Sequence, residues 1–252
     1  MKNKEVVNET LIGNEKFTTD KKKQKPIRIE LSNMKRLVLF IVGCLGLYVV
    51  SFLAVLIMLG VPLAKADKSG ATEFLTYAFL TIALLGTLGS DVIIIKNEAK
   101  IYKFFVGIAF GLAVIIIPSL YDIFVNLLFP HGVNNNEAGL RSFIPSYPFL
   151  SIIFLCILGP LCEELTYRVG LFGLLRKRKW VAYVVSILVF SFMHFDFTAK
   201  DMITELVNLP SYMLSALIFA YAYDKFGFTT SWTAHMFNNL FAVVAILAFG
   251  AN

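Results

Sequence analysis

Long uninterrupted apolar blocks are the feature of this sequence that most restricts its fold. The block at 37–59 contains no charged residue, and comparable blocks recur along the chain. A helix needs about 20 consecutive, mostly apolar residues to cross the hydrocarbon core of a bilayer. Of the 252 residues, 58% are hydrophobic and 16% are charged, whereas soluble domains carry about 25% charged residues. The sequence therefore predicts an all-α, polytopic membrane helix bundle.

Charged and polar turns divide the apolar sequence into about seven transmembrane helices, or eight if one partial span is added. The predicted spans are 37–59, 71–95, a third that ends near 129, a fourth that starts near 148 and continues past Pro160, then 180–195, 203–223 and 229–249. Residues 130–147 are predicted to form a polar loop that includes Asn134, Asn135 and Asn136. Residues 37–252 are interpreted as one transmembrane domain.

Basic residues concentrate beside the predicted spans. Ten of the 23 Lys and Arg residues precede Leu37, and four more form the tetrad at 176–179. Cytoplasmic segments are enriched in Lys and Arg, which are attracted to anionic lipid headgroups. We therefore expect residues 1–36 to form a flexible basic tail in the cytoplasm, and the chain to be a multi-pass protein of the cell membrane. The net charge is +6, and the placement of the basic residues indicates that they bind the lipid bilayer and not nucleic acid.

Ionisable and strongly polar side chains inside the predicted spans form a small set. A charged group costs about 2.5–3.5 kcal/mol at the centre of a transmembrane helix, so each one is a candidate functional residue. The set is Glu163, Glu164 and Arg168 in the fourth span, His194 in the fifth, and His235 with Asn239 in the seventh. Counted along straight helices, Glu163 and His194 lie about 20 Å, and His235 about 15 Å, from the same membrane face. The three side chains are therefore expected to converge.

Helical spacing separates the roles within this set. Glu164 and Arg168 are four residues apart and are expected to form a salt bridge on one helix face. Glu163 is rotated by about 100° from Glu164 and is free for chemistry. Two further pairs with the same spacing are His235 with Asn239 and Phe190 with His194.

A carboxylate beside two imidazoles, away from bulk water, suits the activation of water for attack on a carbonyl. Asn239 and His235 would donate hydrogen bonds to the oxyanion that forms, so amide hydrolysis is the predicted reaction class. The alternative is structural, because a Glu–Arg pair often only locks a bundle and a single histidine is often a core residue. Two of the three histidines lie in spans that offer suitable partners, which favours catalysis.

Several other polar and aromatic residues are interpreted as structural. Loop, capping, interface or packing roles are expected for Asp122, His131, Asp196, the run Asn134 to Asn136, Tyr167, and the three cysteines Cys44, Cys156 and Cys162.

Three short motifs occur in order on successive apolar segments. Glu163 to Arg168 reads E-E-x-x-x-R, Phe190 to His194 reads F-x-x-x-H, and His235 to Asn239 reads H-x-x-x-N. Together they resemble the CAAX protease and bacteriocin-processing (CPBP) family of intramembrane endopeptidases, with the family core at about 148–245. The resemblance implies that Glu163 activates water with help from His194, and that His235 and Asn239 stabilise the oxyanion. Glu164, Arg168 and Phe190 would support them.

The cofactor and the substrate stay open at this stage. A metal-independent glutamate mechanism is favoured, since the H-E-x-x-H zinc motif is absent from the sequence. The alternative is a divalent metal such as zinc, held by Glu163, His194 and His235. The predicted function is an intramembrane endopeptidase that cuts a membrane-associated peptide or protein, such as a prenylated tail, a pheromone precursor or a bacteriocin leader.

Two other functions are weighed against the protease. The first is a non-catalytic bacteriocin self-immunity or partner-binding membrane protein with the same fold. The second is a transporter of small solutes or protons that uses the buried carboxylate as a relay. This function is disfavoured because the sequence lacks the paired broken helices of many transporters.

Overall fold

The computed structural model describes residues 30–63 and 65–250, and this part of the chain is helical without a strand. Its helices are α1 (Asn33–Leu59), α2 (Lys65–Leu88, continued by Gly89–Asp91 and Val92–Glu98), α3 (Ile101–Leu128), α4 (Asn135–Ser146), α5 (Pro148–Leu175), α6 (Lys179–Phe192), α7 (Met202–Phe226) and α8 (Phe228–Phe249). Most of the predicted tail, residues 1–29, lies outside the described residues. Helix α1 begins four residues before the predicted span, where the Ser32 side chain accepts from the Lys35 amide.

Six of the helices in the described chain are long and apolar enough to cross a membrane, namely α1, α2, α3, α5, α7 and α8. The protein is thus a multi-pass helical bundle, as predicted. The fifth predicted span differs, because α6 has 14 residues and rises about 21 Å before it ends at Phe192. His194 therefore lies in the non-helical connection between α6 and α7.

Helix α4 corrects the prediction that residues 130–147 form a loop. Asn134 caps this 12-residue helix, since its side-chain oxygen accepts from the Glu137 amide. One turn further, Glu137 pairs with Arg141 at 2.8 Å. Ile144 is buried in a cluster with Cys156 and Val243. The polar residues of this segment thus provide a cap and an exposed face, and its few apolar residues bury one side.

The basic ends of the helices meet at one end of the bundle. Lys35 of α1 pairs with Asp91 in the 3₁₀ turn of α2. Lys179 of α6 lies 2.9 Å from Asp224 at the end of α7. A third link joins α2 to α8, where the buried Glu98 carboxylate accepts from the Thr229 amide at 3.1 Å. Lys35 and Lys179, the described basic residues of these links, therefore lie at one end of the bundle.

Helix α5 is the centre of the bundle, with every residue from Glu164 to Gly173 buried. Small residues let other helices approach closely. A Cβ atom at Gly43 of α1 would lie only 1.9 Å from the Thr166 hydroxyl oxygen, and one at Gly107 of α3 would lie 2.6 Å from Thr233 Cβ of α8. This close packing encloses the segment of α5 that carries the two adjacent glutamates.

Candidate active site

Glu163 lies between two widened turns of helix α5. The segments Phe154–Leu158 and Glu164–Phe172 have π-helical geometry, which is rare and frequent at functional sites. The Glu163 side chain keeps 23% of its surface exposed, whereas that of the next residue, Glu164, is 0% exposed. The adjacent carboxylates therefore occupy different environments.

Glu163, His194 and His235 meet in the bundle as the sequence analysis expects. The Glu163 Oε2 atom lies 4.0 Å from His194 Nε2 and 3.7 Å from His235 Nε2. Both distances exceed a hydrogen bond, and Oε2 is buried with no hydrogen-bond partner in the described structure. Since buried polar atoms are normally bonded, this oxygen is a site where a small polar molecule would be stabilised.

The partners of the other ring nitrogens define the tautomer of each histidine. His194 Nδ1 lies 2.9 Å from the Phe190 carbonyl oxygen, which only accepts hydrogen bonds, so Nδ1 carries a proton. His235 Nδ1 lies 3.2 Å from Glu164 Oε1, and an ionised carboxylate likewise only accepts. In the neutral rings, both Nε2 atoms therefore present lone pairs toward Glu163.

Glu164 contacts three other polar side chains in a buried network that includes His235. Its Oε2 atom lies 3.4 Å from Arg168 Nε, which is the predicted i, i+4 ion pair, and it also accepts from the Ser231 hydroxyl. The bond from His235 to Oε1 was not anticipated from the sequence, and neither was Ser231. The spacing of Ser231, four residues before His235, places both on one face of α8 and is the signal that identifies it.

Aromatic rings hold both imidazoles. The predicted contact of Phe190 with His194 is present at 4.7 Å between ring centroids, and Tyr212 stacks on His194 at 5.0 Å. Phe219 stacks on His235 at 4.4 Å. No sequence pattern distinguishes Tyr212 and Phe219 in a chain with 10 Tyr and 24 Phe residues.

Arg168 lies beneath these rings. Its guanidinium carbon is 4.9 Å from the Phe190 centroid and 5.8 Å from that of Phe219, within the range of cation–π attraction. Its Nη1 atom donates to the Ser186 hydroxyl at 3.2 Å. The buried cation therefore contacts Glu164 and also supports the aromatic rings that position the histidines.

Asn239 is bonded to the backbone of α5. Its Nδ2 atom donates to the Leu155 carbonyl at 2.8 Å. That carbonyl lies in a π-helical turn, where its backbone partner would be residue 160, and Pro160 has no N–H to donate. One amide hydrogen of Asn239 thus replaces the missing backbone bond, and the second hydrogen is not required for it.

The predicted metal ligands are not arranged as a metal site. The described residues contain no group of three His, Cys, Asp or Glu that could hold a metal ion. Glu163, His194 and His235 are the predicted set, and Glu163 Oε2 is 3.7–4.0 Å from the imidazole nitrogens. The metal-independent mechanism, with a divalent metal as its alternative, stays a prediction.

The residues expected to be structural lie in capping and packing positions. Asp122 accepts from the Ser211 hydroxyl, and His131 Nδ1 is 2.8 Å from the Phe129 carbonyl. Tyr167 is buried with its ring edge toward Phe190 at 5.4 Å.

Two aspartates flank the connection that follows His194. Hydrogen bonds from the side chains of Thr198 and then Asn135 hold the pKa of Asp196 below its usual range. The Thr204 hydroxyl does the same for the pKa of Asp201, which caps α7. Both carboxylates are therefore ionised at neutral pH and bonded to the segments next to the site.

Part of the chain is similar to a known family and to known proteins. Residues 145–241 match the family described as "Type II CAAX prenyl endopeptidase Rce1-like". The chain is 29% identical over 227 residues to "UPF0177 protein YvdC" of Lactococcus lactis subsp. lactis, covering 85% of this chain and 84% of that protein. It is 28% identical over 154 residues to an uncharacterized protein of Mycoplasma capricolum subsp. capricolum, covering 57% of this chain and 44% of that protein.

No solved structure matches the chain. The matched segment 145–241 contains both glutamates, both histidines and Asn239 of the site described above. The chain is therefore a multi-pass membrane protein whose residues 145–241 are similar to the type II CAAX prenyl endopeptidase Rce1-like family.

Proposed function

We propose that this protein is an intramembrane endopeptidase in which Glu163 activates a water molecule. The observation that carries the proposal is the buried, unpartnered Oε2 atom of Glu163, flanked by His194 Nε2 at 4.0 Å and His235 Nε2 at 3.7 Å. A water molecule would act as the donor to the Glu163 carboxylate and to the Nε2 lone pair of His194. Its two O–H groups would bond to Glu163 and to one imidazole.

The first step is attack of this water on the peptide carbonyl carbon. A C–O bond forms, the carbonyl electrons move to its oxygen, and Glu163 takes one proton from the water. His194 accepts a hydrogen bond from the second O–H through its Nε2 lone pair and so orients the nucleophile. The rings of Phe190 and Tyr212 restrict His194 to this orientation.

The second step is collapse of the tetrahedral intermediate. The C–N bond breaks, and Glu163 returns its proton to the departing amine, which leaves a carboxyl group on the other product. His235 would stabilise the oxyanion by donating from Nε2 in its protonated form, in which both ring nitrogens carry a hydrogen. The second Nδ2 hydrogen of Asn239 is the other candidate donor.

The substrate we propose is a membrane-associated peptide or protein, because the reacting groups lie inside a helix bundle that crosses the membrane. The basic end of the bundle would face the cytoplasm of the cell, since Lys and Arg are enriched on that side of membranes. Glu163 and both histidines would then be reached within the bilayer rather than from a soluble domain.

Cleavage by the purified protein in lipid vesicles tests this function. The probes are two quenched fluorescent peptides of one sequence, with and without a prenylated cysteine near the carboxyl terminus. Glu163→Gln and His194→Ala should each reduce cleavage at least 100-fold, the lower range of general acid–base catalysis. Ser119→Ala is the control, because its exposed hydroxyl bonds to the Ile115 carbonyl of its own helix.

Undiminished cleavage by both site variants would contradict the proposal. If a cellular effect of the protein survives Glu163→Gln, the non-catalytic immunity or partner-binding function replaces it. Comparing the membrane peptides of cells with and without the protein then identifies the natural substrate of an active enzyme.

A further inference from the structure

Glu205 is a buried carboxylate that the mechanism above does not use. It lies in the first turn of α7 with 1% of its surface exposed. Its two oxygens accept from backbone amides of two other segments, Oε1 from Asn135 at 2.8 Å and Oε2 from Asp196 at 3.1 Å. The carboxylate thus joins three separate parts of the chain.

Both bonded segments lead to His194. Asp196 is two residues after His194 in the non-helical connection between α6 and α7. Asn135 is the first residue of α4, and its neighbour Asn134 donates through Nδ2 to the His194 carbonyl at 3.5 Å. Because α6 ends at Phe192, no helix of its own fixes the backbone of His194.

The same face of α7 also holds the imidazole ring. Tyr212 is seven residues, or two turns, after Glu205, and its ring stacks on His194 at 5.0 Å. The Tyr212 hydroxyl donates to Asn134 Oδ1 at 3.2 Å, which closes a network around the histidine. Helix α7 therefore contacts the ring through Tyr212 and secures the main chain through Glu205.

The chemistry of this position requires a carboxylate. Helices α4 and α7 both begin beside Glu205, and their N-termini carry partial positive charge. Both groups that face the side chain are N–H donors, and a carboxylate only accepts, whereas an amide would present its own N–H groups to one of them. A glutamine would therefore lose one bond and leave a backbone donor without its partner.

We propose that Glu205 is a positioning residue for His194. By bonding the amides of Asn135 and Asp196, it sets the distance from the imidazole to Glu163. This proposal rests on the proposed protease function for its effect on rate. A displacement of about 1 Å in a reacting group costs about 100-fold in rate.

Steady-state cleavage in lipid vesicles tests the effect on rate. Glu205→Gln should lower kcat by about 10- to 100-fold with KM changed less than twofold, since the group does not touch the substrate. Glu205→Asp keeps the charge and should recover part of kcat. In a His194→Ala background, Glu205→Gln should cause no further loss, because the residue it positions is absent.

The matched control is Asp201→Asn in the same segment. Asp201 is exposed and caps α7 by accepting from the Thr204 amide at 3.1 Å, and asparagine is an equally good cap. This variant should keep the wild-type kcat. A wild-type kcat in Glu205→Gln, or equal losses with and without the His194 side chain, would overturn the proposal.

Hydrogen exchange measures the contact without any substrate. At least one of the amides of Asn135 and Asp196 should exchange 10-fold or more faster in Glu205→Gln than in the wild type, and both should exchange at the wild-type rate in Glu163→Gln. Unchanged exchange at both amides in Glu205→Gln would refute the positioning contact itself. If exchange changes but the wild-type protein cleaves neither peptide, the protease function fails while the contact stands.

Discussion

The adjacent carboxylates Glu163 and Glu164 should respond in opposite ways to the same substitution. Replacing Glu164 by Gln removes the charge that faces Arg168 at 3.4 Å and that accepts from His235 at 3.2 Å and from Ser231. Removing one member of a buried ion pair costs about 3–5 kcal/mol, because the other charge stays buried without compensation. We therefore expect Glu164→Gln to lower the free energy of unfolding by about this amount.

Glu163→Gln removes a charge whose Oε2 atom has no hydrogen-bond partner. No bond of that atom is lost, so the free energy of unfolding should change by less than about 1 kcal/mol. Its effect should instead fall on cleavage, which should decrease at least 100-fold. Glu163 is thus expected to act in the reaction, and Glu164 is expected to stabilise the fold.

Equilibrium unfolding in mixed micelles, followed by circular dichroism and paired with the cleavage assay, measures both quantities. Each variant replaces one carboxylate by an amide of nearly the same size, and the two positions are consecutive, so each variant is the control for the other. Equal stability of the two variants would refute the division of roles. A stable Glu164→Gln protein with full activity would also remove the basis for orienting His235 through Glu164.

Three further predictions concern the fold, the connection between α6 and α7, and metal dependence. Gly227→Ala should lower the free energy of unfolding by more than about 2 kcal/mol, since φ is +96° and the new Cβ would lie 1.6 Å from Glu98 Oε1. In the same unfolding assay, Gly86→Ala is the control. Its new Cβ would have no atom within 4 Å, so this variant should be neutral or stabilising. Because the pKa values of Asp196 and Asp201 are lowered in the folded protein, their ionised carboxylates stabilise the connection between α6 and α7 above pH 3.8. This stabilisation should disappear as the pH falls below that value. Amide exchange of 195–201 that is the same at pH 5 and pH 3, after correction for intrinsic rates, would contradict this. Cleavage should survive dialysis against a chelator, and metal analysis should find less than one ion per chain; activity that is lost on dialysis and restored by zinc would favour the metal alternative.

The long spans were predictable because the bilayer imposes a length and composition that few other structures share. The ion pair of Glu164 with Arg168 and the ring contact of Phe190 with His194 followed from helical spacing alone. Both depend on residues four positions apart, which a helical turn, or the turn that directly follows α6, brings together.

Contacts between helices were harder to predict. Helix α4 is short and polar, and its stability depends on the Asn134 cap and on burial of Ile144 against α5 and α8. Glu205 is an acid inside a long apolar helix, so the rule that identified Glu163 also applies to it, yet its two partners become apparent only when α4 and the connection after α6 are in place. The stacking of Tyr212 and Phe219 depends on helix rotation, which the sequence does not specify.

The bond from Asn239 to the Leu155 carbonyl affects how a variant at this position is to be interpreted. Truncating the asparagine would withdraw a candidate oxyanion donor and would also leave an interior carbonyl of α5 without its donor, so the two losses would be measured together. Introducing Pro160→Ala restores a main-chain N–H at the residue five positions after Leu155. In that background the Leu155 carbonyl no longer needs the Asn239 side chain as its donor. Any loss of cleavage rate on truncating Asn239 there is then due to the loss of the oxyanion donor.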